Sequence, residues 1–95
     1  MVVERYYLTT PIYYVNATPH IGHAYTTVAA DIFVRHQRQR GRDGFLLTGV
    51  DEHASKVARV AEAQGLSPQE YVDGIAEVWR ALPARLGVTP DFFIR

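Results

Sequence analysis

The sequence predicts an α/β fold built around parallel strands, and three observations carry that prediction. An aromatic and β-branched run at residues 5–10 precedes a long helical pattern that begins at Ile21. A short apolar run between glycines, Gly44-Phe45-Leu46-Leu47-Thr48-Gly49, follows that helix. Strand, crossover helix and second strand make a βαβ unit, with parallel strands and a right-handed crossover. Two more helical patterns and a closing extended run continue the alternation.

Each element has a local reason. Arg5-Tyr6-Tyr7-Leu8-Thr9-Thr10 has strand composition and stops at Pro11, which has no N–H for a ladder. Residues 11–19 contain Pro11, Asn16, Thr18 and Pro19 and read as a loop. From Ile21 the period becomes helical. Ile21, Tyr25, Val28, Ile32 and Phe33, with Ala24 and Ala29, share a face that is expected to meet the core. Asp31, Arg35, Arg38 and Arg42 fall mostly on the other side. Gly41 permits a left-handed cap, and Arg38 and Arg40 suit the negative end of the helix dipole. The run at 44–49 suits a strand buried on both faces. A second helix is expected from His53 or Ala54 to Gln64, with Val57, Val60, Ala61 and Gln64 on one face and Gly65 as its stop.

Ser67-Pro68-Gln69-Glu70 opens a third helix, with Ser67 as cap, Pro68 preset for the first turn and Glu70 to complete a capping box. Tyr71, Ile75, Val78, Trp79 and Leu82 follow as an apolar stripe. Pro83 removes an N–H and crowds the Trp79 carbonyl, so a kink or early end is expected there, with Gly87 as the final stop. Asp91-Phe92-Phe93-Ile94-Arg95 reads as the beginning of another extended segment.

Composition narrows the class. Ninety-five residues suffice for one small domain, and a chain of this size buries only a modest share of its surface. Ten basic and ten acidic residues cancel, so no bulk field draws nucleic acid, and any RNA contact is local or lies elsewhere. With no cysteine there is neither a disulfide framework nor a thiolate zinc site. No apolar run approaches membrane-spanning length, and Met1-Val2-Val3-Glu4-Arg5 lacks the regions of a signal peptide. A cytoplasmic protein is the expectation.

The chemistry centres on His20-Ile21-Gly22-His23, between a loop and the first helix. A helix start already favours anions through its N–H groups and dipole. Two imidazoles three residues apart can point the same way and donate to phosphate oxygens. Gly22 lets a flat purine approach the backbone. For an arbitrary His-x-x-His, two ordinary polar residues are the default reading; here the strand, loop and helix around the motif reverse it. The basic run from Arg35 to Arg42 reads as a solvated helix face, with RNA phosphates as the alternative. His53 with His20, His23, Asp51 and Glu52 has no metal-ligand spacing.

These residues resemble the methionyl branch of the class I aminoacyl-tRNA synthetases. His20-Ile21-Gly22-His23 is similar to the family's HIGH signature. Thr10-Pro11-Ile12-Tyr13-Tyr14-Val15-Asn16, Ala24-Tyr25-Thr26-Thr27 and Gly49-Val50-Asp51-Glu52-His53 resemble further segments in order, and the likeness runs to Arg95. The resemblance implies a Rossmann-like fold with an incomplete parallel sheet, residues 1–95 being the N-terminal part of the catalytic domain. It implies activation of L-methionine by ATP, with Mg²⁺ carried by ATP, and transfer of the methionyl group to tRNA(Met). His20 and His23 would be the catalytic pair. Thr10, Asn16, His20, Gly22 and His23 would lie around ATP. Ile12 and Tyr14 would surround the methionine side chain, and Asp51 would bind its ammonium group. Without the resemblance, Tyr14 reads as a packing tyrosine and Asp51 as a helix N-cap.

The family has glycine after Asp-Glu-His, where this chain has Ala54. That matters if the backbone there needs positive φ or close ligand approach, and is harmless if the position opens a helix. The family's lysine-rich KMSKS loop, its zinc-bearing insert and its anticodon-binding domain do not occur among these residues. The chain by itself is therefore expected to be inactive and to fold marginally. A non-catalytic RNA-binding or interaction module and another HIGH-type class I synthetase are the alternatives.

Overall fold

The computed structural model describes residues 2–95; Met1, first residue of the stretch read for a leader, lies outside the described residues. Seven elements follow in order: β1 (Arg5–Thr9), β2 (Tyr13–Tyr14), α1 (Ile21–Gln39), β3 (Asp43–Asp51), α2 (Ser55–Ala63), α3 (Pro68–Arg85) and β4 (Phe92–Ile94). β3 is the central strand and all its pairings are parallel. It meets β1 from Arg5↔Asp43 to Thr9↔Leu47, β2 at Tyr13↔Val50 and Tyr14↔Asp51, and β4 from Leu47↔Phe92 to Gly49↔Ile94. The expected parallel βαβ start is present. The stretch read as a loop at 11–19 contains β2, and the register slips by one residue across Pro11 and Ile12 between β1 and β2.

The helices pack along one face of the sheet. Leu46, with Tyr6 and Leu8 of β1, meets Ala30 and Val34 of α1 and Val88. Farther along β3, Val50 joins Val15, Val57, Ala61, Tyr71, Val72, Ala76 and Trp79 in a second cluster against α2 and α3. Leu46 and Val50 are two positions of like parity, so both clusters use one side of the strand. On the other side Tyr7 is 62% exposed and Phe45 41%, their rings 5.7 Å apart, while Leu47 is half-buried and Gly49 buried. The expectation of a strand buried on both faces is thus corrected: one face is covered along its length, and the other is open at Phe45.

Helix α1 departs further from its reading. The buried residues are Thr27, Ala30, Asp31 and Val34, not the predicted apolar stripe. Ile21 is 88% exposed and Tyr25 78%, and Ile32 and Phe33 are also exposed. Asp31 is accommodated inside because Arg35 Nε donates to its Oδ2 at 2.6 Å. Three arginines of the basic run are committed internally. Arg35 donates to Gly87 O at 2.8 Å, Arg38 to Asp91 Oδ2 at 2.8 Å and to Gly44 O at 3.1 Å, and Arg42 to Glu4 Oε2 at 2.9 Å.

Helix α3 starts as predicted, with the Ser67–Glu70 capping box and Pro68 in the first turn. Its buried face is Tyr71, Val72, Ala76, Trp79 and Pro83, so Val78 of the predicted stripe is displaced to the surface. Pro83 does not end the helix, which runs to Arg85. Its carbonyl accepts from Val88 N at 2.8 Å, and Gly87 takes φ 71° as the stop. Among the described residues no helix is long and apolar enough to cross a membrane.

Candidate active site

The site forms where β2, the loop after it, the start of α1 and the end of β3 converge, beyond the carboxyl ends of the parallel strands. This is the usual ligand position in an open α/β sheet. The histidines are set first by local chemistry. His20 is the N-cap of α1, with extended backbone, and its Nδ1 accepts from Gly22 N at 3.0 Å. His23 occupies the third helical position, and its Nδ1 accepts from His20 N at 3.1 Å. The two imidazoles thus make a reciprocal capping box, a job usually done by Ser or Thr with Glu or Gln. An accepting Nδ1 places the proton of each neutral ring on Nε2, so both rings offer an N–H away from the backbone.

The rings lie 3.8 Å apart, centroid to centroid. Burial lowers the His23 pKa below its ordinary value, and the neighbouring His20 charge lowers it further. Gly22 has a more immediate reason to be glycine than purine approach. A Cβ there would stand 2.8 Å from His20 Cε1.

A cleft of about 470 Å³ opens beside the pair, and Ile12, Tyr13, Tyr14, Asn16, His20, His23 and Trp79 are among its walls. A neighbouring cavity of about 400 Å³ is lined by Tyr14, Asn16, Asp51, His53, Ala54, Ser55 and Lys56. Tyr14 and Asn16 are common to both, so the two are adjoining parts of one site. Of the residues predicted from sequence, Ile12, Tyr14, Asn16, His20, His23 and Asp51 come together here. Thr10 and Gly22 line neither cavity. Thr10 is 6% exposed, its hydroxyl hydrogen-bonded with Thr48 Oγ1 at 2.7 Å inside the sheet.

Asp51 ends β3, and its Oδ1 accepts from His53 N at 3.0 Å. It is not the N-cap of α2; that position is Ala54, with no side-chain cap. Ala54 has φ −127°, so the backbone does not require glycine conformation at the position where the family carries one. Among the described residues no group of three or more His, Asp or Glu comes together in a way that could hold a metal ion.

Two contributors were not singled out from sequence. Tyr13 turns toward the histidines while Tyr14 is exposed; its hydroxyl is 3.1 Å from Thr27 Oγ1 and its ring meets His23 edge-on at 5.0 Å. Trp79 belongs by its spacing to the apolar stripe of α3. The alternation of a strand through Tyr13-Tyr14 was the available signal for the first. Nothing local marks the second, which reaches the site from α3.

The parallel sheet, the helix start facing a cleft and the histidine pair define a segment of the class I synthetase type. The family model described as "tRNA synthetases class I (M)" matches residues 6–95, and the chain belongs to that family. Among curated relatives it is similar to the methionine–tRNA ligase of Thermotoga maritima, 53% identical over 91 residues, covering 96% of this chain and 14% of that protein. It is equally similar to the Streptomyces coelicolor methionine–tRNA ligase, 53% identical over 93 residues, covering 97% of this chain and 17% of that protein. Of solved structures, Mycobacterium tuberculosis methionyl-tRNA synthetase in complex with methionyl-adenylate matches at TM-score 0.95 and 40% identity, over 98% of this chain and 18% of that one. The chain therefore spans about one-sixth of the length of these relatives.

Proposed function

We propose that this chain forms the part of a methionine–tRNA ligase catalytic domain that receives ATP and methionine. The observation that carries the reading is the histidine pair: both Nδ1 atoms are committed to the backbone and both rings line the cleft. That leaves two Nε2–H groups, at a helix start, to meet phosphate oxygens where charge develops. Asn16 lines the same cleft, and the Gly22 amide holds the His20 ring through its Nδ1. Ile12 and Tyr14 surround the methionine side chain, and Asp51 in the adjoining cavity accepts from its ammonium group.

The methionine carboxylate attacks the α-phosphorus of ATP, an oxygen–phosphorus bond forms, and pyrophosphate leaves. A ribose hydroxyl of tRNA(Met) then attacks the methionyl carbonyl and AMP leaves. No side chain acts as a nucleophile; the residues position the reactants and stabilise phosphate charge. Mg²⁺ enters with ATP as part of the substrate.

The test is a chimera in which residues 6–95 replace the matching segment of the Thermotoga maritima ligase. We expect methionine-dependent ATP–pyrophosphate exchange. In that chimera His23→Ala should lower kcat about 100-fold, and Asp51→Asn should act mainly on the methionine KM. Exchange that persists when both histidines are alanine would sink the reading. So would a folded chimera that exchanges with leucine or isoleucine but not methionine. The segment 1–95 by itself is expected to give no exchange.

A further inference from the structure

The loop carrying His20 has few bonds of its own and is held from outside. Two side chains of α3 reach its backbone. Tyr71 Oη donates to Val15 O at 2.6 Å, and Trp79 Nε1 donates to Ala17 O at 3.0 Å. Residues 71 and 79 are about two helical turns apart, so they lie on one face of α3 and grip two carbonyls of the bend that follows β2. Trp79 is 2% exposed, and its indole also meets the His23 ring edge-on at 4.6 Å and stacks on Tyr13 at 5.4 Å. The face of α3 thus touches both sides of the histidine pair, the loop before His20 and the ring of His23.

We propose that Tyr71 and Trp79 are positioning residues for the reaction, setting the two imidazoles through the loop at 15–17 and through direct packing on His23. The proposal rests on the function proposed above for its catalytic arm alone. A buried tyrosine hydroxyl and an indole N–H need partners, and here each partner is a carbonyl within five residues of His20. Small errors in the placement of groups that stabilise charge are costly in rate.

Two measurements test it. The first follows hydrogen exchange in the 95-residue chain at the amides of His20 and Gly22, whose acceptors are the imidazole Nδ1 atoms. In Tyr71→Phe and in Trp79→Phe, protection at these two amides should fall about tenfold relative to Ala30 in the middle of α1. Unchanged protection, or an equal loss at all three amides, overturns the proposal. The second measures adenylate formation in the chimera, per active site counted from the burst. The same substitutions should slow the rate about 10–100-fold with full burst amplitude and a methionine KM within about twofold. A reduced burst at normal rate means that the residues serve stability alone, and overturns the proposal. If the unsubstituted chimera shows no exchange, the functional reading falls, and the amide measurement still decides whether α3 sets the histidines.

Discussion

Gly22 is fixed as glycine by its own neighbour. An added Cβ would press on His20 Cε1, so the imidazole would have to rotate and release the Gly22 N–H. Gly22→Ala should therefore lose the cap, about 1 kcal/mol of stability, and cut exchange activity of the chimera about 10–100-fold. A normal rate with intact melting would show that the ring tolerates the crowding. His23 carries a second prediction. Its folded pKa lies below the ordinary value of 6.5, so the folded state binds fewer protons than the unfolded chain. The stability it contributes is present above pH 6.5 and is lost as pH falls through the folded pKa. Protonation on Nδ1 also breaks its bond to the His20 amide. The melting temperature should fall as the pH is lowered from 7 towards 5, and His23→Gln should flatten that slope. The motif was legible in the sequence because its residues are contiguous. Its capping chemistry was not, because histidine is an unusual cap and Nδ1 geometry has no sequence signature.

Elements were legible where the signal is local. The Ser67 capping box, the Gly41, Gly65 and Gly87 stops, with φ of 83°, 71° and 71°, and the short β4 all follow from adjacent residues. The buried face of α1 was not, because a polar but internally satisfied face won over an apolar one: Asp31 has Arg35, and Thr27 Oγ1 donates to His23 O at 2.9 Å. The helix also continues two residues past Pro83, to Arg85, since packing overrides the propensity penalty. β4 depends on a feature that sequence reading passed over. A Cβ at Gly49 would lie 2.2 Å from Ile94 O, so the parallel strand can close only on glycine. Gly49→Ala should detach β4 and cost about 1–3 kcal/mol, read as a lower urea midpoint with helix content retained. An unchanged midpoint would mean that β4 shifts without loss.

At the scale of the whole molecule, the chain is elongated. Its radius of gyration is 15.5 Å, against about 12.4 Å for a compact domain of this length. Two small clusters replace a single core, and both the open sheet face and the outer face of α1 expose large apolar side chains. Large apolar side chains gathered on open faces of this kind favour association. The 95-residue chain should bind a hydrophobic dye while folded and associate with rising concentration. Ile32→Lys and Phe45→Lys together should weaken both. A monomer at all concentrations with no dye binding would contradict this. The parallel α/β class was legible in the order of the elements, whereas the bare face was not, because an apolar strand reads alike whether one or both sides are covered.

The bond from Trp79 to Ala17 joins residues 62 positions apart. On a ribosome adding about 5–20 residues each second, the histidine loop emerges roughly 3–12 s before the helix that holds it. During that interval the nascent chain already displays its signature motif, with the loop before it not yet held by α3. Fixing this loop therefore waits on α3, and a pause in translation between the loop and α3 would lengthen the time it spends unheld.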